Sequence, residues 1–551
     1  MQGALREHAT RSPGGEHAPS RQGPSRTEIV VVAVCFAAAF AVASIWLSLD
    51  LGKSLWFDTY NYEYWSGWAF FHGFGSALAL PGKLQTYLDP QQNALYYLLI
   101  SHTSAKTMAV VISSLESLAL STLSFVVYLV ARRARWSTPA AVGFGLAVGV
   151  TGFLSPIYRS ELGGTMGDTI TVVGLVVAAS LLFIALSARS VTARLRCSLV
   201  AGALLGFCVV AKVTMLMPAV ALIVGFGGAL LLGRHQLALA KERAISFVVV
   251  AVTSFVVAAA IYAPLGLTVY DRYQNPFFPY YNGLARSPQQ KPSNFQDFRY
   301  TVNSLSDWVH HLAGLVVGTH SLESGTLLQR SPLIIVGALA ICALLVEDLL
   351  RRRSAPLLFL EISVPFGVLA WSGTVVIYRY AAPIEMAMGA VLVVLVLRRD
   401  DLPRVVAPLV AVASLVLALL GGGGAQTIRT AFGASYFTTS PATLTGGLGS
   451  HVMLLSSVPD AYLVPSMRPG TDIVRVGGKL NLELVMSDRW WSQVRAEVLE
   501  TPQQWQVIEG LHTQAESDQT LSRLGIEGVV HSCKPLSRAP FPTELCQLSI
   551  S

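Results

Sequence analysis

Apolar residues along this chain come in long, nearly unbroken runs separated by short polar turns, without the sustained 3.6- or 2-residue alternation of half-buried helices and strands. Runs near 28–50, 107–131, 138–157, 169–188, 197–212, 214–233, 246–266, 332–349, 356–377, 380–397 and 405–421 each approach or reach the length a helix needs to cross a bilayer. The pattern predicts a mainly α, polytopic membrane protein of about 11 transmembrane helices. Charge placement agrees: Arg132/Arg133/Arg135, Arg189/Arg194/Arg196, Arg234/Lys241/Arg243, Arg351/Arg352/Arg353 and Arg398/Arg399/Arg404 fall on alternate turns, which the positive-inside rule makes cytoplasmic. The same rule places residues 1–26 in the cytoplasm, and their Gly, Pro, Ser and Arg content predicts disorder. An odd number of spans leaves the chain beyond about 422 outside a plasma membrane.

The predicted organisation is a cytoplasmic N-terminus over 1–26, a transmembrane domain over 27–421 and an extracytoplasmic domain over 422–551. Inside connections are short, whereas 51–106, 267–331 and 422–551 are long, so chemistry is expected on the outside. Segments 91–105 and 300–318 suit helices lying flat at the membrane surface. In the tail, Val452–Leu455 and Asp472–Val476 read as strands, and 487–499 and 513–523 as helices, which predicts a small α/β domain jointed at Gly421–Gly424. Composition sharpens this in two ways. With 53% hydrophobic and 13% charged residues the chain cannot hide its apolar surface in one soluble core, and its net charge of +7 sits in the turns rather than on a nucleic-acid-binding face. Cys533 and Cys546 are the cysteines of the outer tail, close enough in sequence to close a disulfide in an oxidising compartment, while Cys35, Cys197, Cys208 and Cys342 lie in or beside spans.

Candidate chemistry collects in the outside segments. Asp58 stands just beyond the first span in Trp56-Phe57-Asp58-Thr59-Tyr60-Asn61-Tyr62-Glu63, and a carboxylate near a bilayer has either a task or a partner. It reads as a general base for an acceptor hydroxyl, or as a helix cap or ion pair with Lys53. The turn Tyr158–Asp168 holds Arg159, Glu161, Gly163, Gly164 and Asp168, suited to sugar hydroxyls, to assisting Asp58 or to a divalent cation, or else to a capped, solvated turn. Lys212 and Arg379 break the inside bias, which suggests a phosphate, with Arg159 as a third cation; snorkelling to headgroups is the alternative. Tyr378 and Tyr380 flank Arg379, and Asn275 to Asn282, including Tyr280, forms an aromatic, Pro-stiffened stretch that suits either a carbohydrate wall or an interfacial belt. The histidines show no metal-like spacing.

Asp58 after the first span, long outside loops, about eleven spans and an outer tail resemble, over the whole chain, the type-C (GT-C) integral-membrane glycosyltransferases. The stretch Asp58, Asn61, Tyr62, Tyr64, then Gln85, Thr86, Tyr87 and Pro90, is similar to a bacterial group within that superfamily, with Glu63 replacing an expected His and Asp89 an expected Asn. The resemblance implies that Asp58 is the catalytic base, that Arg379 and Lys212 hold the phosphate of a polyprenyl-phosphate sugar donor, and that Asn61, Tyr62, Glu63, Gln85, Glu161, Asp168, Asn275, Tyr280, Tyr378 and Tyr380 contact sugar or acceptor. The acceptor would be an envelope glycan, lipid or protein, with membrane lipids as surroundings and no nucleic acid. A lipid-linked sugar flippase, or a non-catalytic component of a polysaccharide assembly complex, shares the many spans and the membrane-surface charges.

Overall fold

A computed structural model of the protein describes residues 24–233, 240–295, 301–318, 330–351, 354–374, 376–399, 401–421, 428–437, 449–477, 482–500, 505–510, 514–537 and 540–550. The expected disordered segment lies outside the described residues up to position 23, as do positions 422–424 of the expected joint and parts of the second long loop.

The helices cross where the apolar runs fall. They are α1 (Arg26–Leu51), α2 (Ala105–Arg133), α3 (Thr138–Phe153), α4 (Asp168–Ser187), α5 (Val191–Ala211), α6 (Leu216–Leu232), α7 (Ala240–Tyr273), α8 (Pro332–Arg351), α9 (Ala355–Ser372), α10 (Ala382–Leu397) and α11 (Val406–Gly421). Among the described residues nine helical segments are long and apolar enough to span a membrane, and α3 and α11 are shorter apolar helices. The chain is a multi-pass membrane protein. Starts are set by local chemistry: the hydroxyls of Ser25, Ser104 and Ser190 accept from the backbone N–H three residues on, satisfying donors that a first turn leaves free. α1 stops at Gly52, whose φ of +85° places it where a Cβ would lie 2.5 Å from the Thr430 carbonyl oxygen.

Burial ranks the helices. The span that includes α10 is 72% buried and runs through the bundle, whereas that of α7 is 17% buried and lies at its edge. At 34 residues α7 is about 51 Å long, more than the hydrocarbon thickness. In its last turn the Tyr273 hydroxyl donates to the Ala77 carbonyl of the first loop at 2.5 Å.

The two long loops and the tail share one face of the bundle. The first loop carries a π-helical turn (Thr59–Glu63) and helices Tyr64–His72 and Pro90–His102; the second carries Leu305–Val317. Thus helices occupy both segments expected to lie along the membrane surface. After α11 the chain pairs Arg429–Thr430 antiparallel with Lys53–Ser54. It then builds a sheet from β1 (His451–Leu454), β2 (Asp472–Arg475), β3 (Trp505–Gly510), β4 (Gly528–Ser537) and β5 (Thr543–Ile550), in spatial order β2-β1-β3-β5-β4. β1 runs parallel to β2 and β3, with Met453 opposite Val474 and Val507; β5 is antiparallel to β3 and β4. Helices Asp488–Glu500 and Gln514–Arg523 belong to this small α/β unit.

The tail is fastened to the first loop by buried cations and rings. Arg475 donates to the Pro81 carbonyl at 2.7 Å and pairs with Asp460, both side chains fully buried. Lys83 donates to the Ser457 carbonyl at 3.1 Å, and Lys53 to the Tyr436 carbonyl at 2.5 Å. Tyr60, two residues beyond Asp58, packs against Phe437, Tyr462 and Phe541 with ring centroids 4.9–5.1 Å apart.

Candidate active site

Asp58 opens the π-helical turn, buried to 8% exposure, and makes no side-chain cap. Its partner is Arg379, whose Nη2 donates to Asp58 Oδ2 at 3.0 Å. Neither the helix cap nor the Lys53 pair therefore accounts for Asp58, because Lys53 is committed to Tyr436. Arg379 lies on the short 3₁₀ turn Tyr378–Ala381 that leads into α10, its guanidinium 5.3 Å from the ring of Trp56 and 5.4 Å from that of Tyr380. Its Nε and Nη1 are buried and have no hydrogen-bond partner. Lys212, between α5 and α6, is 2% exposed and pairs with Asp89 at 3.6 Å, while the other Asp89 oxygen accepts from the Val213 N–H at 3.0 Å. Snorkelling to headgroups does not describe these two cations, since both are buried.

The Tyr158–Asp168 segment is a buried connection rather than a solvated turn. A short helix, Pro156–Glu161, precedes it, and Glu161, Thr165 and Asp168 have almost no exposure. Glu161 accepts from the Thr169 N–H at 2.9 Å and Asp168 Oδ1 from the Thr214 hydroxyl at 2.7 Å; Glu161 Oε1 and Asp168 Oδ2 have no partner. Gly163 is required for an approach to α1 rather than to a ligand: a Cβ there would meet Ser48 Oγ at 2.1 Å. Glu63 joins the first loop to this segment, accepting from the Thr165 hydroxyl at 2.5 Å. Asn61 donates to Gln85 Oε1 at 2.7 Å and keeps a free buried Oδ1.

The charges act on one another. Burial pushes the Glu63 carboxyl up to about 8; Lys212 opposes that rise and the Asp58 charge adds to it. Burial also raises Asp89, with Lys212 working against it, and raises Glu161, reinforced by Asp168. Lys212 is itself raised although burial disfavours its charge, because Asp168, Asp89 and Glu63 surround it. Since folded Glu63 keeps its proton to a higher pH than its ordinary 4.5, stability is full below about 4.5 and is lost as pH rises toward 8. Glu63→Gln is expected to flatten that fall, read as thermal unfolding in detergent from pH 5 to 8.5; an unchanged slope would assign the pH dependence to other groups.

Some expected contacts lie elsewhere. Tyr378 is buried and its hydroxyl donates to Glu385 at 2.7 Å, away from Arg379, so it anchors the turn to α10. Asn275 is fully buried, its amide donating to the Tyr280 carbonyl and to Gln290 Oε1 while its oxygen accepts from the Phe277 N–H, which leaves nothing for a ligand. Tyr280 packs its ring against Phe295 in the same loop. Arg159 is partly buried on the Pro156–Glu161 helix beside this region. Among the described residues no three His, Cys, Asp or Glu side chains converge around Asp58, and the one such group found is in the tail.

Three residues escaped sequence reasoning. Arg429, just after α11, donates to the carbonyls of Gly52 (3.1 Å), Ser160 (2.9 Å) and Leu162 (3.0 Å), bracing the buried connection against the end of α1. Glu116, within α2, accepts from the Gly163 N–H at 2.8 Å and the Thr169 hydroxyl at 3.1 Å; an acid inside an apolar span was a readable signal. Trp56, against Arg379, had none beyond its proximity to Asp58.

An apolar groove runs between α4, α6, α9 and α10, lined by Leu175, Pro218, Ala221, Gly367, Ile384 and their neighbours. Three of these helices begin at the charged cluster, α4 with Asp168, α6 just after Lys212 and α10 just after Arg379.

No family model matches the sequence, and no curated protein matches it. Solved structures similar in chain path include ArnT from Cupriavidus metallidurans bound to undecaprenyl phosphate, at 15% identity over 95% of this chain and 98% of that one, TM-score 0.46. The oligosaccharyltransferase of Archaeoglobus fulgidus, in its apo form, aligns at 13% identity over 92% of this chain and 69% of that one, TM-score 0.46. The mycobacterial arabinofuranosyltransferase AftD aligns at 12% identity, TM-score 0.43, over 96% of this chain, which spans 40% of AftD.

Proposed function

We propose that this protein is a GT-C-type glycosyltransferase that moves a sugar from a polyprenyl-phosphate donor to an acceptor hydroxyl on the outer face of the plasma membrane. The observation that supports the reading is that Asp58, Arg379, Lys212 and Asp168 gather around the starts of α4, α6 and α10, three helices that line the apolar groove. A molecule with a hydrocarbon tail, a phosphate and a hydroxyl-rich head meets matching surroundings along that line. The tail occupies the groove, the phosphate takes the unpartnered Nε and Nη1 of Arg379 with support from Lys212, and sugar hydroxyls donate to Asp168 Oδ2 and Asn61 Oδ1.

Arrival of the phosphate gives Arg379 a competing anion and loosens its hold on Asp58. The freed carboxylate then accepts the acceptor's hydroxyl proton as that oxygen bonds to the anomeric carbon. The bond from that carbon to the phosphate oxygen breaks, and polyprenyl phosphate leaves with the electron pair, so the anomeric centre inverts. Buried cations at the leaving phosphate stabilise the charge that develops there.

A Cβ at Gly367 would lie 3.5 Å from the Ala221 Cβ and 3.6 Å from Ile384, so a larger side chain projects among the groove-lining residues. Gly367→Leu is expected to raise KM for a long-chain donor about 10-fold or more while sparing a donor with a short soluble tail, in the range expected for a blocked apolar site. Equal effects on both donors would remove the groove from the account.

A further inference from the structure

Away from this site, the tail brings two sulfurs and two carboxylates together on one side of its sheet. Glu509 on β3 stands directly opposite Glu544 on β5. Cys546 follows two residues along β5 and so points to the same face, and Cys533 reaches it from the irregular stretch of β4 where the register shifts. The four donor atoms lie within 4.8 Å of one another. Cys533 and Cys546 are joined as a disulfide.

The carboxylate of Glu509 is the unexplained element. Its residue is 7% exposed; Oε2 accepts from the Ser517 hydroxyl at 2.7 Å, while Oε1 faces Cys546 Sγ at 3.4 Å and Cys533 Sγ at 3.7 Å. Sulfurs in a disulfide carry no hydrogen, so Oε1 receives no donor from them. Like charges directly opposite in an antiparallel pair are unfavourable, and neither Glu509 nor Glu544 forms an ion pair with any described Lys, Arg or His. An acid buried against two sulfurs and facing a second acid is an arrangement that a cation completes.

We propose that the reduced tail is a binding site for a thiophilic divalent cation such as zinc, held by Cys533, Cys546, Glu509 and Glu544, and that disulfide formation and metal binding are alternative states of these residues. Two thiolates and two carboxylates are a tetrahedral zinc donor set, with bonds of about 2.3 Å to sulfur and 2.0–2.2 Å to oxygen. Exposed Cys533 gives reductant and metal a way in, while Glu509 and Cys546 form the buried floor. A dithiol reductant supplies the two electrons and two protons that convert the disulfide to two thiols, itself becoming a disulfide; metal binding then releases the two thiol protons.

The test uses the full chain in detergent, reduced under anaerobic conditions and titrated with cobalt(II), then with zinc in competition. The expected result is a thiolate-to-cobalt charge-transfer band with tetrahedral d–d bands, bleached by zinc and missing in the oxidised protein. Glu509→Gln is expected to weaken zinc at least about 10-fold, judged against the loss typical of even a supporting residue. Its oxidised form, which should unfold at the wild-type temperature, controls for folding; if it does not, the half-buried Glu544→Gln serves the same comparison. Absence of the charge-transfer band in reduced wild type, or unchanged zinc affinity in the well-folded variant, would overturn the proposal.

Discussion

Asp58→Asn is expected to lower the rate of sugar transfer by about 10²–10⁴-fold, the usual contribution of a positioned general base. The substitution keeps the shape of the side chain and a polar atom facing Arg379, so the loss should appear in kcat, with donor binding maintained or improved because Arg379 is released to the phosphate. Matched expression and an unchanged elution profile in detergent separate this from misfolding. Retained transfer would move the proton acceptor elsewhere in the cluster, with Asp168 next because its Oδ2 is buried and has no partner.

The second large effect is structural. Arg475 and Asp460 are both fully buried, and Arg475 also donates to the carbonyls of Pro81 (2.7 Å), Ser456 (3.3 Å) and Gly477 (3.4 Å). Removing the cation alone leaves a carboxylate in the interior without its partner, which costs about 3–5 kcal/mol. Arg475→Met is therefore expected to detach the tail from the first loop, seen as rapid proteolytic trimming after α11 and as lost transfer, since the same interface carries Tyr60 close to Asp58. Arg475→Met with Asp460→Leu should recover much of the stability, because an apolar pair of similar volume needs no compensation. If the single variant resists protease like wild type, the ion pair does not fasten the tail.

The spans were legible because a bilayer imposes a length and a composition on each crossing helix. Asp58, Lys212, Arg379 and Asp168 stood out in the sequence for a related reason, since charges at the ends of apolar helices need an explanation. Their pairing was not. Asp58 and Arg379 are 321 residues apart, and only the packing of the first loop against the start of α10 joins them. Tyr378 misled because three neighbours in sequence are not three neighbours on a 3₁₀ turn: successive side chains point about 120° apart, so Tyr378 turns to Glu385 while Arg379 faces Asp58. Asn275 misled because its polarity serves the loop's own backbone. Arg429 was unreadable as sequence, since its partners are carbonyls of distant turns, and so was the hold of Arg475 on the Pro81 carbonyl, 394 residues away.

The most direct measurement of the central claim is transfer of radiolabelled sugar from a panel of polyprenyl-phosphate donors by the purified chain in proteoliposomes, with Asp58→Asn alongside. A labelled product with inverted anomeric configuration is expected from at least one donor, and it should disappear in the variant. If no donor is turned over while a fluorescent lipid-linked sugar crosses the bilayer equally fast with both proteins, the glycosyltransferase reading is contradicted and a lipid-sugar transporter takes its place.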